Sequence, residues 1–177
     1  MHGVRYPAAQ GIVDSNRVFI LGGSYGGYAT LMRLTKDPDL YKCGIAETAV
    51  SDIFWLGELG YSDTNQIDSA GSETFLDEMV GDPKTDQAMM KKYSPRLHAD
   101  QIKAPLMIVH GVHGVHGVRD QRVPFKHVEG MRDAMRAAGK DVEWGVYPDE
   151  AHGFAKFENR VDRYNKIEAF LKKNIGQ

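Results

Sequence analysis

The sequence is poor in cysteine, in long apolar runs and in recognisable targeting segments. Its single cysteine, Cys43, cannot form an intramolecular disulfide, and its apolar neighbours predict a buried thiol, as is typical of a reducing compartment. No apolar run approaches the roughly 18 residues that a membrane helix needs, and no signal peptide is recognised at the N-terminus. We therefore expect a cytoplasmic protein without a membrane partner.

The sequence also lacks an excess of charge of either sign. Lys and Arg together number 22 and Asp and Glu 24, so the formal net charge is −2. The basic residues are scattered and form no stripe with aromatic side chains, so we expect no nucleic acid as a partner. With 177 residues, of which 42% are hydrophobic, the composition predicts a single globular domain over 1–177.

Short apolar runs alternate with helical spacings along the chain. The run at 17–21 ends in glycine and predicts a strand buried on both faces, whereas 52–70 has no clear period and is expected to be irregular or to contain short helical turns. Strands are predicted over 17–21, 42–50, 105–110 and 142–147, and helices over 25–36, 74–80, 85–92, 123–139 and 159–174. This alternation predicts an α/β fold with a mostly parallel sheet flanked by helices.

The motif with the most chemical content is Gly22-Gly23-Ser24-Tyr25-Gly26-Gly27, between the first predicted strand and the first predicted helix. A sharp strand-to-helix turn brings backbone segments together, so glycine is expected two positions before and two after the serine. Such a turn exposes the Ser24 hydroxyl as a nucleophile and directs the Tyr25 N–H to where an oxyanion would form. A helix N-cap serine or a phosphate-binding turn would give a similar motif.

A serine nucleophile needs a base, and the base needs a group that orients it. His152 follows the last predicted strand and Asp120 follows the third, so both should reach the sheet edge that carries Ser24. The chain order Ser, Asp, His is the one expected for α/β-hydrolases. An incidental loop histidine and a turn or capping aspartate are the alternatives, and Asp149 is a second carboxylate that could orient His152.

Three segments together resemble the catalytic domain of the prolyl oligopeptidase family. They are 22–28, 116–124 and 147–154, and the shorter segments 94–95 and 102–105 also fit that family's pattern. The resemblance implies part of an α/β-hydrolase fold, with Ser24 as nucleophile, Asp120 as orienting group and His152 as base. It further implies that substrate is bound by Phe54, Trp55, Arg122 and Val123, although plain packing is an equally good interpretation of the two aromatic residues.

The sequence departs from the family in what it lacks. It contains neither the family's β-propeller nor the first half of the hydrolase domain, which supplies the second oxyanion donor, so we expect a truncated catalytic domain. The strand at 17–21 would then lie at an edge with nothing to cover it. Because a bare apolar edge strand tends to pair with another chain, we expect a homo-oligomer.

A second departure is the tandem repeat that contains His110, His113 and His116. Three imidazoles can bind zinc, but no carboxylate or cysteine completes a recognisable motif, so we expect no metal and no cofactor. A surface loop lengthened by duplication is the simpler interpretation. If His116 keeps the family's place before the aspartate, His110 ends the strand.

These patterns predict a serine hydrolase that cleaves a peptide or a small ester through an acyl-enzyme. A carboxylesterase acting on small molecules is the alternative within the same chemistry. A catalytically weak or inactive half-domain that serves as an interaction module is the alternative outside it.

Overall fold

The computed structural model describes residues 2–58, 80–112, 120 and 122–176. The predicted helix over 74–80 therefore lies outside the described residues except for its last position, as do His113 and His116.

The centre of the structure is a parallel sheet in which the order of the strands in space follows the chain, β1-β2-β3-β4. In register, Leu21 lies beside Ile45 of the second strand, and Ile45 lies beside Met107 of the third. The strands are β1 (Phe19–Gly23), β2 (Cys43–Glu47), β3 (Leu106–Gly111) and β4 (Val142–Tyr147). The predicted α/β fold with a parallel sheet is confirmed, and the carboxyl ends of all these strands meet at one edge.

Helices cover both faces of the sheet. The described helices are α1 (His2–Ala9), α2 (Tyr25–Lys36), α3 (Phe54–Glu58), α4 (Gln87–Lys92), α5 (Lys126–Ala137) and α6 (Phe157–Ile175), with 3₁₀ turns at Ser15–Arg17 and Pro95–Gln101. The helix predicted over 25–36 has the predicted bounds, whereas α1 was not anticipated from the sequence. Within the described part of the chain, no helix combines the length and apolar character needed to cross a bilayer.

Alternating strand residues build two apolar layers, one on each face. On one face, α2 and α5 pack Leu31, Leu34 and Met131 against Ala46 and Ile108. On the other face, α6 packs Ile167 and Phe170 against Cys43, Ile45, Met107 and Val109. The buried free thiol expected of Cys43 is present in this second layer.

Strand β1 differs from the prediction that it is buried on both faces. Phe19 and Leu21 remain 39% and 45% exposed. They lie on the same face as Cys43 and Ile45, where the main contacts of α6 with the sheet are to β2 and β4. The strand is therefore an edge strand, with one face covered by α2 and the other open.

Candidate active site

Ser24 lies at the turn between β1 and α2, at the carboxyl edge of the sheet. Its backbone has φ 57° and ψ −121°, a conformation that a residue with a side chain rarely adopts. The side chain makes no capping hydrogen bond to the helix that follows, which argues against the N-cap interpretation. Strain at this bend and a hydroxyl that is not used as a cap are the features expected of a nucleophile turn.

Two glycines allow this turn to close. A Cβ on Gly22 would lie 2.3 Å from the backbone oxygen of Gly26, and a Cβ on Gly27 would lie 2.6 Å from that of Glu47. Gly26 itself, for which the sequence predicted a similar restriction, has open space around the position of a Cβ. The steric restriction after the serine therefore applies at the third position and not at the second, because a Cβ on Gly27 would point at Glu47 and Ala49.

Ser24, His152 and Asp120 form one chain of hydrogen bonds. His152 Nε2 lies 3.0 Å from Ser24 Oγ, and His152 Nδ1 lies 3.0 Å from Asp120 Oδ2 and 3.2 Å from Oδ1. The nitrogen that faces a carboxylate must carry the proton of a neutral imidazole, which leaves Nε2 as the acceptor for the serine hydroxyl. These contacts join side chains that are 128 and 32 residues apart in sequence.

Asp120 is almost fully buried and is held by the backbone that follows it. The N–H groups of Arg122 and Val123 both donate to Oδ1 at 3.0 Å. The carboxylate is 4% exposed and points its other oxygen at His152. Because these donors are amides and not a cation, they solvate the negative charge of Asp120 without neutralising it.

His110 is the penultimate residue of β3 and lies behind the carboxylate of Asp120. Its Nε2 is 3.8 Å from Asp120 Oδ2, and the side chain is fully buried. Burial lowers the pKa of His110 to about 4, against the opposing effect of Asp120, so the ring is neutral at neutral pH. No group of side chains that could hold a metal ion occurs among the described residues.

Glu150 shapes the loop that carries His152, and sequence reasoning missed it. Its buried carboxylate accepts from Ala155 N at 2.8 Å and from Lys156 N at 2.9 Å. Asp149, the alternative orienting group, instead pairs with Lys156 and accepts from Asn159 Nδ2. An acidic residue two positions before the histidine was visible in the sequence, but nothing there distinguished the buried carboxylate from its exposed neighbour.

Thr48 is a second residue that the sequence did not reveal. It follows β2, is buried, and has φ 42°, which is unusual for a β-branched residue. Its Oγ1 accepts from the backbone N–H of Ser24 at 3.2 Å, and that N–H also reaches the Glu47 carbonyl at 2.9 Å. A strained backbone at Thr48 thus supports the strained backbone at Ser24.

An apolar cavity of about 410 Å³ opens on one side of Ser24. Its walls are Tyr25, Tyr28, Val50, Ile53, Leu56, Val80, Met89 and Tyr93. The sequence predicted Phe54 and Trp55 as the aromatic lining, but of the described residues it is Ile53 and Leu56, one helical turn apart, that face the cavity. Trp55 instead packs between the cationic groups of Arg96 and Lys126 at 4.5 and 4.4 Å.

A charged cavity of about 460 Å³ opens on the other side of Ser24 and is also lined by His152. Arg122, Arg160, Arg163 and Glu47 contribute its charged groups. Burial raises the pKa of Glu47, although Arg163 Nη1 donates to both carboxylate oxygens at 3.0 Å and opposes that effect. Arg122 therefore borders the site, whereas Val123 is fully buried and meets Asp120 rather than a substrate.

Comparison with known proteins identifies the family and the fold. The sequence pattern of the prolyl oligopeptidase family matches residues 1–177. The chain belongs to the prolyl oligopeptidase family. Members of this family are serine peptidases with an α/β-hydrolase fold, and the predicted fold class is thereby confirmed.

Relatives in the prolyl oligopeptidase family are much longer than this chain. The chain is 35% identical to dipeptidyl aminopeptidase BIII of Pseudoxanthomonas mexicana over 181 residues, which cover 98% of this chain and 24% of that protein. It thus spans about a quarter of that relative.

Solved structures of family members share the fold. Acylaminoacyl peptidase of Pyrococcus horikoshii superposes with a TM-score of 0.78 at 27% identity, over 98% of this chain and 26% of that one. A puromycin-hydrolyzing peptidase of Mycobacterium tuberculosis superposes with a TM-score of 0.83 at 23% identity, over 98% of this chain and 24% of that one.

Proposed function

We propose that residues 1–177 form one catalytic unit of a serine peptidase, with Ser24 as nucleophile, His152 as base and Asp120 as orienting group. The observation that carries this proposal is the contact of 3.0 Å between Ser24 Oγ and His152 Nε2, with Asp120 on the opposite ring nitrogen. Family membership supports the same chemistry.

In this mechanism His152 Nε2 removes the hydroxyl proton while Ser24 Oγ bonds to the scissile carbonyl carbon. The carbonyl oxygen takes the negative charge and accepts from the Tyr25 N–H, which lies at the start of α2 with no partner inside that helix. The negative charge of the Asp120 carboxylate stabilises the protonated imidazole. The imidazole then passes its proton to the leaving amine as the carbon–nitrogen bond breaks. Water then attacks the acyl carbon while His152 accepts its proton. The bond to Ser24 Oγ breaks as His152 returns a proton to that oxygen.

The apolar cavity beside Tyr25 supports an apolar side chain on the acyl side of the scissile bond. Its described walls carry no charged side chain. Peptides with a large apolar residue immediately before the scissile bond should therefore be cleaved faster than peptides with an acidic residue there.

Labelling of Ser24 by a fluorophosphonate probe tests the proposal directly, since the probe reacts only with an activated serine. We expect the wild-type chain to be labelled and Ser24→Ala not to be labelled while it keeps its circular dichroism spectrum. Ser15→Ala, which removes an exposed hydroxyl outside the site, is the matched control and should label like wild type. A folded wild-type chain that fails to label would instead favour the inactive interaction module.

Ester cleavage is the second activity that we propose for this site. Ester hydrolysis depends less on protonation of the leaving group than amide hydrolysis does, because an alkoxide leaves more readily than an amine anion. The cavities on both sides of Ser24 are open to small acyl compounds. Turnover of p-nitrophenyl acetate without cleavage of any peptide would identify the chain as a carboxylesterase.

We propose further that copies of the chain associate through β1. Its outer edge has no strand partner among the described residues, and Phe19 and Leu21 are exposed beside it. Sedimentation should give at least twice the mass of the chain, 19.8 kDa, and Leu21→Lys should lower it towards the monomer. A monomeric wild type at micromolar concentration would refute this proposal. A cytoplasmic location stays a prediction that rests on the lone thiol of Cys43.

A further inference from the structure

The charged cavity lies on the side of Ser24 where the leaving group must go. In the proposed function, on which this inference rests, His152 passes its proton to the leaving amine, so that amine must lie near His152 Nε2. His152 borders the charged cavity, whereas the described walls of the apolar cavity do not include it. The two cavities therefore divide a substrate into an acyl part and a leaving part.

The described walls of the charged cavity are mainly cationic. Among those residues are three arginines and one carboxylate, and the carboxylate of Glu47 is bound by Arg163 on both of its oxygens. The net charge of the Glu47–Arg163 pair is close to zero, so the pair attracts an anionic ligand only weakly. Arg160 forms no ion pair within the part of the chain that the structure describes, so its charge is available to a ligand, and a concave site concentrates its field.

The two arginines of α6 differ in how firmly they are held. Arg163 lies 4.8 Å from the ring of Phe154 and 4.4 Å from that of Tyr164, so its guanidinium is fixed as part of the wall. Arg160 lies one turn earlier on the same face of the helix and is exposed, with its guanidinium 5.9 Å from the ring of Phe157. Arg160 can therefore move to meet a ligand without breaking an ion pair of the core.

We propose that this cavity selects leaving groups that carry a carboxylate close to the scissile bond. This carboxylate is either the free C-terminus of a leaving amino acid or an acidic side chain on the first leaving residue, because both present the same anion. Arg160 is the specificity-determining residue, and the Glu47–Arg163 pair is the fixed wall against which the anion is held.

The test compares three substrates that share an N-acetylphenylalanyl acyl part. Their leaving parts are alanine with a free carboxylate, alaninamide, and the amide of aspartic acid. We expect kcat/KM for at least one anionic substrate to exceed that for alaninamide by roughly 1.5- to fivefold at low salt, the size of an ion pair with an exposed arginine. The anionic substrate that is preferred identifies the source of the carboxylate.

Variants of α6 separate a local effect from overall charge. Arg160→Gln should abolish the preference and Arg160→Lys should keep part of it. Lys172→Gln removes the same charge about 18 Å further along the helix. At an ionic strength of about 0.1 M, where the screening length is about 10 Å, this variant should keep the wild-type preference.

The outcomes distinguish this inference from the proposed function. If Ser24 is labelled by the fluorophosphonate but the three substrates are cleaved at equal rates, or none of them is cleaved, the leaving-group inference is wrong and the serine chemistry stands. A preference that survives Arg160→Gln would also refute it. If Ser24 is not labelled, the proposed function fails and the inference fails with it.

Discussion

Two buried carboxylates at the same edge of the sheet have opposite kinds of partner. Asp52, which follows β2, accepts from Arg96 Nε at 2.8 Å and from the hydroxyl of Ser94 at 3.2 Å. Asp120, which follows β3, accepts from backbone amides and from His152. Exposure does not distinguish them, since they are 1% and 4% exposed.

The difference teaches what makes a buried charge available for chemistry. The charge of Asp52 is neutralised by a guanidinium that also stacks on Trp55, so the pair joins α3 to the turn at Pro95–Gln101. Among the described residues, the side chains paired with Asp120 are histidines, and a cation that forms on His152 during reaction is stabilised by its negative charge. The first arrangement holds the fold together and the second is suited to catalysis.

Asp120→Asn should produce the largest effect on activity. The amide can no longer hold His152 with its proton on Nδ1, so we expect kcat to fall by about 10⁴. Stability should change little, because the Arg122 and Val123 amides keep an oxygen acceptor. Steady-state hydrolysis of p-nitrophenyl acetate and urea denaturation measure the two quantities, and activity close to wild type would show that Asp120 does not orient the base.

Asp52→Asn is the matched change at the other carboxylate. It should lower stability strongly and activity only slightly. It leaves Arg96 without its anion, and breaking a buried pair costs about 3 kcal/mol of unfolding free energy, at the lower end because Arg96 is partly exposed. Activity per folded molecule should stay within about tenfold of wild type. If Asp52→Asn and Asp120→Asn were equally stable in urea, the two carboxylates would not differ in what they contribute to the stability of the fold.

A buried histidine accompanies each carboxylate and should make stability depend on pH. Burial lowers the pKa of His110, near Asp120, and of His127, near Asp52, to about 4 in each case. Between pH 6.5 and 4 the unfolded chain therefore binds more protons than the folded one, and the unfolding free energy falls as pH falls, by up to about 1.4 kcal/mol per pH unit for each histidine.

His110→Gln isolates one of these two contributions. Urea denaturation from pH 7 to 4.5 should show a shallower loss of stability in the variant than in wild type, whatever its absolute stability. Parallel curves for the two proteins would mean that folding does not lower the pKa of His110.

Thr48→Val should have the smallest effect. The change removes the Oγ1 that accepts from Ser24 N but keeps the branched shape, and a net hydrogen bond of about 1 kcal/mol predicts a roughly fivefold slower labelling of Ser24. Thr48→Ser keeps the hydroxyl and should restore most of the rate. Equal rates for both variants would show that the hydroxyl does not support the nucleophile turn.

Much of the site could be predicted because its parts have local signals. The strand, glycines and helix around Ser24 are contiguous, and His152 and Asp120 each follow a recognisable strand, so parallel topology alone directs them to one edge. Thr48, Glu150 and the Arg163–Glu47 pair could not be predicted. Their contacts span separate loops, and the same residue types are common on exposed surfaces.

The sequence by itself determined the order of strands and helices, the nucleophile turn and the residue types available at the carboxyl edge of the sheet. Only the tertiary structure decided that β1 has one open face, that Ile53 and Leu56 rather than Phe54 and Trp55 line the apolar cavity, and that the charges gather on the other side of Ser24. The reason is physical. Local patterns determine backbone conformation, whereas burial and charge pairing depend on which distant segments come to lie against each other.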